Sequence, residues 1–443
     1  MSDPSTSWRG RAAAILTVLT VINFLNYIDQ MLLSSVLEQI KLEFTLSDTA
    51  GGLLGSLFVI TYTIAAPLGY LGDRFKRKNI IAGGVMLWSL ATLAAAFART
   101  YEELLVCRAL LGIGEAAYAT TAPSIIADLY GPDERSRKLA LFYVATPVGS
   151  ALGFILGGLI GEHFGWRAVF LVGGLPGLLF AALAARIVEP ERGRLDPVTA
   201  RTEGTFFAAL GRIVRTPAWG INTVGLAMMT FTVGGLSLWM PTYLERVHGM
   251  STASAGPVFG AVTVLAGLCG TLLGGSLGDR LQARSAGGYF WLSGVGLVLS
   301  APLIVLLTRM DHLVALFVVA FFAELLLFLN TGPLNAALVG CVPAWLRGTA
   351  FAVNIFCIHA FGDALSRTLI GYVSDRAKTA YLAGQEPTEA AVRAAEAAGL
   401  NLAIATTAIP VLLGGLVLLW GARRIARAPG GLMTYAGGPQ PHR

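Results

Sequence analysis

Twelve apolar runs decide what this chain can fold into. They span roughly 12–37, 49–72, 79–98, 103–127, 138–161, 168–188, 216–243, 253–278, 287–308, 313–339, 348–374 and 399–422. A helix needs about 20 residues to cross a bilayer core about 30 Å thick. In hydrocarbon every backbone N–H and C=O must be paired within the structure, so such runs fold as helices. Only 13% of the residues are charged, against about 25% in a soluble domain. That balance excludes an ordinary cytosolic enzyme, a nucleic-acid-binding protein and a disordered scaffold. The prediction is an all-α membrane protein with twelve transmembrane helices. The first run is not a signal peptide: it is too long, has no small-residue cleavage site and contains Asp29.

Charge sets the expected orientation. With the N-terminus in the cytoplasm, 22 of the 32 Lys and Arg residues fall in cytoplasmic segments and 8 in external loops. Arg108 and Arg367 lie inside runs. This asymmetry places both termini in the cytoplasm; the expected location of the protein, if the source is bacterial, is the inner membrane. The net charge of +6 is therefore a topology signal and not a nucleic-acid surface.

The longest polar stretch, 189–215, contains Pro190, Gly193, Pro197 and Gly204, which interrupt regular structure. It divides the chain into a bundle of six helices at 1–188, a central cytoplasmic loop at 189–215 and a second six-helix bundle at 216–427. A Gly- and Pro-rich flexible tail follows at 428–443. Within the loop, 205–215 places Phe206, Leu210 and Ile213 on one helical side, as an interfacial helix would. Residues 69–74 read GYLGDR and 275–280 read GSLGDR, each after the second run of its half. Such a recurrence points to two related halves, the parallel-repeat design of transporters.

Charges inside the runs are the candidate site. A charge at the bilayer centre costs about 2.5–3.5 kcal/mol on the insertion scale, so it should face the bundle interior. Arg108, Gly112 and Glu115 share one face of the fourth run. Arg108 and Glu115 are about 10 Å apart along the axis, too far to pair tightly. Asp29, in the first run, is the expected partner of Arg108. A carboxylate in this setting, Asp29 or Glu115, is expected to take a proton on one side of the membrane and release it on the other. In the second half His359, Asp363 and Arg367 recur at intervals of four on one face. Asp363 and Arg367 are expected to pair. Glu324, in the tenth run, is a further intramembrane carboxylate.

Other chemistries find no support. Gly274-Gly-Ser276-Leu-Gly278 matches a nucleophile-elbow spacing but ends an apolar helix. No phosphate loop, HExxH or paired-Cys motif occurs, so no cofactor, metal or ATP-driven step is expected. The four cysteines, Cys107, Cys269, Cys341 and Cys357, read as isolated thiols. A lipid-modifying membrane enzyme would need a nucleophile–base set, and none is visible.

The stretch from Gly69 through Gly72, Asp73, Arg74 and Arg77 to Lys78 resembles the major facilitator superfamily signature. The second copy keeps Asp279, Arg280 and Arg284 but has Ala283 where Arg77 would correspond. NYIDQ at 26–30, GYLGDRFKRK, residues 108–130, residues 134–158 and GDALSRTLIGYVSDR at 362–376 together resemble the spinster branch of that superfamily. The resemblance implies a major facilitator fold of two six-helix halves, and a carrier of lysolipids such as lysophospholipids or sphingosine 1-phosphate. Proton coupling is proposed for some members. It implies that Asp73 and Arg77 form a gate, with Asp128 partnering Arg77. It also implies that Asp29, Arg108 and Glu115 line a central cavity, with Tyr118 and Thr121 further along the fourth run. The expected partners are a lipid-like substrate, protons and membrane lipids, and the expected state is a monomer. Two positions depart from the pattern. Gln30 stands where relatives have Arg, and Arg367 stands where they commonly have Pro after Ser366. The alternative substrate is a small organic anion, because similar RxxxGxGEA helices occur in such carriers and Arg108 suits a carboxylate.

Overall fold

The computed structural model describes residues 4–66, 74–191, 206–342, 346–383 and 386–427. Gly69, Gly72 and Asp73, most of the central loop and the tail at 428–443 lie outside the described residues. The first part of the chain forms α1 (Pro4–Glu43), α2 (Asp48–Ala65), α3 (Arg77–Ala95), α4 (Tyr101–Leu129) and α5 (Pro132–Ala185). A short α6 (Phe206–Val214) is followed by α7 (Pro217–His248), α8 (Thr252–Arg284), α9 (Gly288–Leu307), α10 (Leu313–Phe328) and α11 (Thr331–Cys341). The last part comprises α12 (Arg347–Ile358), a π-turn (His359–Asp363), α13 (Ala364–Leu382), α14 (Glu389–Thr406) and α15 (Ala408–Ala426).

Eleven helical stretches among the described residues are long and apolar enough to cross a membrane. One of them, Arg137–Ala185, has 49 residues and holds two of the expected spans. It bends at Gly165, whose φ of 78° and ψ of 165° belong to glycine. With that bend counted, the described residues make the twelve crossings read from the runs. The sequence places a break at 162–167, and a single residue makes it. Elsewhere the boundaries differ. The last crossing begins at Glu389, well before 399, because Thr388 caps a polar first turn by accepting from the Ala391 N–H. The tenth crossing is interrupted at Asn330, whose Nδ2 donates to the carbonyls of Leu326 and Leu327.

Two compact units emerge. The first comprises residues 1–46, 53–200 and 250–260. In it α1 packs along α5, and α3 packs on α4 and α5. Small residues permit this closeness: a Cβ on Gly153 would lie 2.6 Å from the Ile28 carbonyl oxygen, and one on Gly114 the same distance from that of Gly84. The second unit comprises 47–52, 201–249 and 261–443. Its core gathers Trp219, Phe290, Leu297, Leu334 and Leu418. Ile213 of α6 joins this core, while Phe207 stays 80% exposed, as an amphipathic helix requires. The helix α2 thus begins in the second unit and continues in the first, and α8 does the reverse.

Candidate functional site

In the first unit α4 carries Arg108, Gly112 and Glu115, all buried. Thr61 and Phe58 of α2 stand against Gly112, where a Cβ would be 2.3 Å from the Thr61 hydroxyl. The missing side chain lets α2 approach between the two charges. The Arg108 guanidinium lies over the Phe58 ring, 5.2 Å from its centroid, a cation–π arrangement strengthened by desolvation.

The carboxylates are held by neutral donors. Asp29 is 2% exposed. Its Oδ2 accepts from the Thr92 hydroxyl at 2.5 Å, and its Oδ1 has no hydrogen-bond partner. The Asp29–Arg108 contact expected from the sequence is not a hydrogen bond, and the Arg108 charge acts on Asp29 and Glu115 through space. Thr92, on α3, takes the place that charge pairing alone assigned to Arg108. Glu115 is fully buried. Its Oε2 accepts from Gln30 Nε2 at 2.7 Å, and the same nitrogen donates to Asn26 Oδ1 at 3.2 Å. Glu115 Oε1 has no hydrogen-bond partner. Gln30, which the sequence marks only as a departure, is thus the residue in contact with Glu115.

Tyr118 and Thr121 fare differently. The Tyr118 hydroxyl donates to the Leu19 carbonyl at 2.5 Å, and its ring meets Trp88 edge-on at 5.5 Å. Tyr118 is a buried tie between α4 and α1. Thr121 is buried, and its hydroxyl has no hydrogen-bond partner among the described residues.

At the opposite end of α4, Arg77 is buried and meets four acceptors, the most distant being the Ser124 hydroxyl at 3.5 Å from NH1. Its NH1 donates to Asp128 at 2.5 Å, its Nε to Glu189 at 2.9 Å and its NH2 to the Pro190 carbonyl at 3.2 Å. The expected Asp128 partner is in place. Glu189 and Pro190 were not foreseen, although a carboxylate immediately after the sixth run was a visible signal. Burial works to raise the Glu189 carboxyl, but the Arg77 hydrogen bond and charge outweigh it and hold the group below its ordinary value. Arg74 is exposed at this end. In the second copy of the motif Asp279 is exposed and accepts from the Tyr289 hydroxyl at 2.8 Å. Arg280 is exposed as well.

In the second unit the π-turn places His359 Nδ1 3.0 Å from Asp363 Oδ1, and Arg367 NH2 3.8 Å from Asp363 Oδ2. The expected face is thus assembled. Glu324 is buried; its Oε1 accepts from Thr263 of α8 at 3.1 Å, and Oε2 has no partner. A further network was missed. Asp48 receives both terminal nitrogens of Arg246, at 2.9 and 3.1 Å, and the Ser374 hydroxyl at 2.5 Å. Asp375 accepts from the backbone N–H groups of Asp48 and Thr49, at 2.9 and 2.8 Å. The signal was present in Gly371-Tyr-Val-Ser-Asp375-Arg376, which echoes GYLGDR.

The sequence matches the Major Facilitator Superfamily model over residues 19–366. "Protein spinster homolog 1" of Xenopus laevis is 37% identical over 388 residues, covering 83% of this chain and 73% of that protein. The chain belongs to the spinster family of the major facilitator superfamily. This spinster chain is also 36% identical to "Protein spinster" of Drosophila melanogaster over 371 residues, covering 81% of this chain and 61% of that one. Its fold overlays a bacterial homolog of the human lysosomal transporter Spinster, solved inward-facing and unoccupied, with a TM-score of 0.87. The two are 26% identical, and the match covers 96% of this chain and 98% of that one. The inward-facing, occupied structure gives 0.83 at the same identity and coverage. The protein is therefore a multi-pass membrane protein of a transporter family.

Proposed function

We propose that this spinster-family chain moves an amphipathic lysolipid across the membrane by alternating access, coupled to protons. The observation that carries the proton half is the state of two buried carboxylates, Asp29 and Glu115. Each is held by a neutral donor and keeps one oxygen without a hydrogen-bond partner, where a proton can be accepted. Gln30 suits this role. Its amide donates to a carboxylate through Nε2 and accepts from a protonated acid through Oε1, so the contact survives in both charge states. Arg108 supplies the cation for an anionic headgroup, and spinster membership supports the lysolipid class.

In the same reading the Arg77–Asp128 network, together with Asp73 and Arg74, gates one end of the first bundle. Asp279 and Arg280 mark the equivalent end of the second. The cluster of Asp48, Arg246 and Asp375 is a clamp that releases during the cycle. Within the second bundle, Glu324, His359, Asp363 and Arg367 are the candidates for a role in transport. The protein works as a monomer with both termini in the cytoplasm.

The test is uptake of labelled lysophospholipid into proteoliposomes with and without a pH gradient, beside protein-free liposomes. Wild type is expected to take up more with the gradient, and Glu115→Gln to lose that difference while remaining folded. Gradient-driven uptake by Glu115→Gln at the wild-type level overturns the proton assignment. A folded protein that takes up a small organic anion and no lysolipid overturns the substrate assignment.

A further inference from the structure

A cavity of about 570 Å³ lies beside the Arg77 network in the first unit. One wall is the segment 74–78 at the start of α3, and the other is 186–191, just past the end of α5. Both walls sit at the ends of helices long and apolar enough to cross a membrane, where lipid headgroups are expected. Arg74, Lys76, Lys78 and Arg186 line the cavity, with Glu189 and Glu191. Glu189 is already bound by Arg77. The side chains of Lys76, Lys78 and Arg186 have no hydrogen-bond or ion-pair partner among the described residues. Phe75 and Val188, in the same lining, are 60% and 57% exposed, so apolar surface adjoins the charges.

Arg77 makes this cavity a preformed one. It starts α3 below one wall, and its bonds to Glu189 and the Pro190 carbonyl fix the other. A ligand therefore meets walls that are already fixed, and orders only the side chains of the basic rim. The volume falls in the range of small-molecule sites, about 300–1,000 Å³. A lone anion would use the charges and leave Phe75 and Val188 against water. A phosphate carried on acyl chains would use both.

We infer that this cavity is a binding site for the phosphate headgroup of an anionic phospholipid, separate from the transported substrate. Arg186 presents a fork that fits phosphate oxygens, and Lys76 and Lys78 act as point charges beside it. The bound lipid's chains lie along Phe75 and Val188. Basic residues near an anionic surface each contribute about fivefold to affinity, so the cluster selects anionic over zwitterionic lipid.

The experiment is native mass spectrometry of the full chain in detergent, titrated with short-chain phosphatidylglycerol or phosphatidylcholine. Phosphatidylglycerol is expected to bind more tightly. The double variant Lys78→Gln/Arg186→Gln should weaken it about tenfold or more, and Lys76→Gln alone about fivefold. The control Arg423→Gln/Arg427→Gln removes the same charge from exposed positions at the end of α15 and should change it less than twofold. Millimolar inorganic phosphate should leave phosphatidylglycerol binding unchanged. Equal weakening by the control pair overturns the proposal in favour of diffuse attraction. Displacement by inorganic phosphate overturns it in favour of a soluble phosphate ligand. Equal binding of the two lipids overturns it outright.

Discussion

The two copies of the GDR motif share five of six letters and end in opposite environments. In the first, Arg77 is 5% exposed and engages Asp128, Glu189 and a backbone carbonyl. In the second, Ala283 stands at the position of Arg77 and is exposed. Asp128 follows Arg77 by 51 residues. At the same distance after Ala283 comes Leu334, which is fully buried in the apolar core. The guanidinium of the ion pair is absent, and the second copy is tied to Tyr289 and Ala286 through Asp279 and Gln282 with no ion pair among the described residues. A repeated motif thus fixes where the chain turns. Whether the turn is locked depends on one guanidinium and on what faces it.

Substitutions can test that contrast, beginning with the largest effect. Arg77→Ala gives the first copy the residue of the second and strands a buried carboxylate. It should lower stability by about 3–5 kcal/mol, read as thermal and denaturant unfolding in detergent. Asp128→Asn keeps the shape and removes the charge, with an expected loss of about 1.5–3 kcal/mol in the same assay. Glu189→Gln should cost about 1 kcal/mol at neutral pH, because the amide can still accept from Arg77 but gives up the charge that strengthens that bond in a mostly enclosed site. Its pH signature is specific. The folded-state value is depressed below 4.5, so the Glu189 contribution is complete above that value. It disappears as the pH falls through the folded value, and the Gln variant should lose nothing in that window. In the second copy, Asp279→Asn should stay within about 0.5 kcal/mol of wild type. Ala283→Arg should add no stability, because that position is exposed to solvent. An Asp279→Asn loss equal to that of Arg77→Ala would abolish the distinction between the copies.

Much of this was legible in the sequence. Hydropathy located the crossings, because burying backbone in hydrocarbon leaves little freedom in where a helix lies. The amphipathic stretch at 206–214 was visible for the same reason, with Ile213 inward and Phe207 outward. Intervals of four on one helix gave the His359, Asp363 and Arg367 face, since helical period fixes neighbours along one element. Contacts between elements were harder. Period says which way Glu115 points and not that Gln30 waits there. It put Tyr118 on the charged helix but could not show its hydroxyl reaching the Leu19 carbonyl. The Asp48–Arg246 pair is separated by 198 residues, and nothing local in either segment names the other.

The bend at Gly165 bears on how the chain is made. Two crossings meet there at a single non-helical residue, with Glu162, His163 and Arg167 the only charged or titratable residues beside it. So short a corner favours entry of the pair into the bilayer as one helical hairpin. Lengthening that corner with a polar insert would uncouple the two insertion events. The sixth crossing would then have to find its orientation by its own flanking charges.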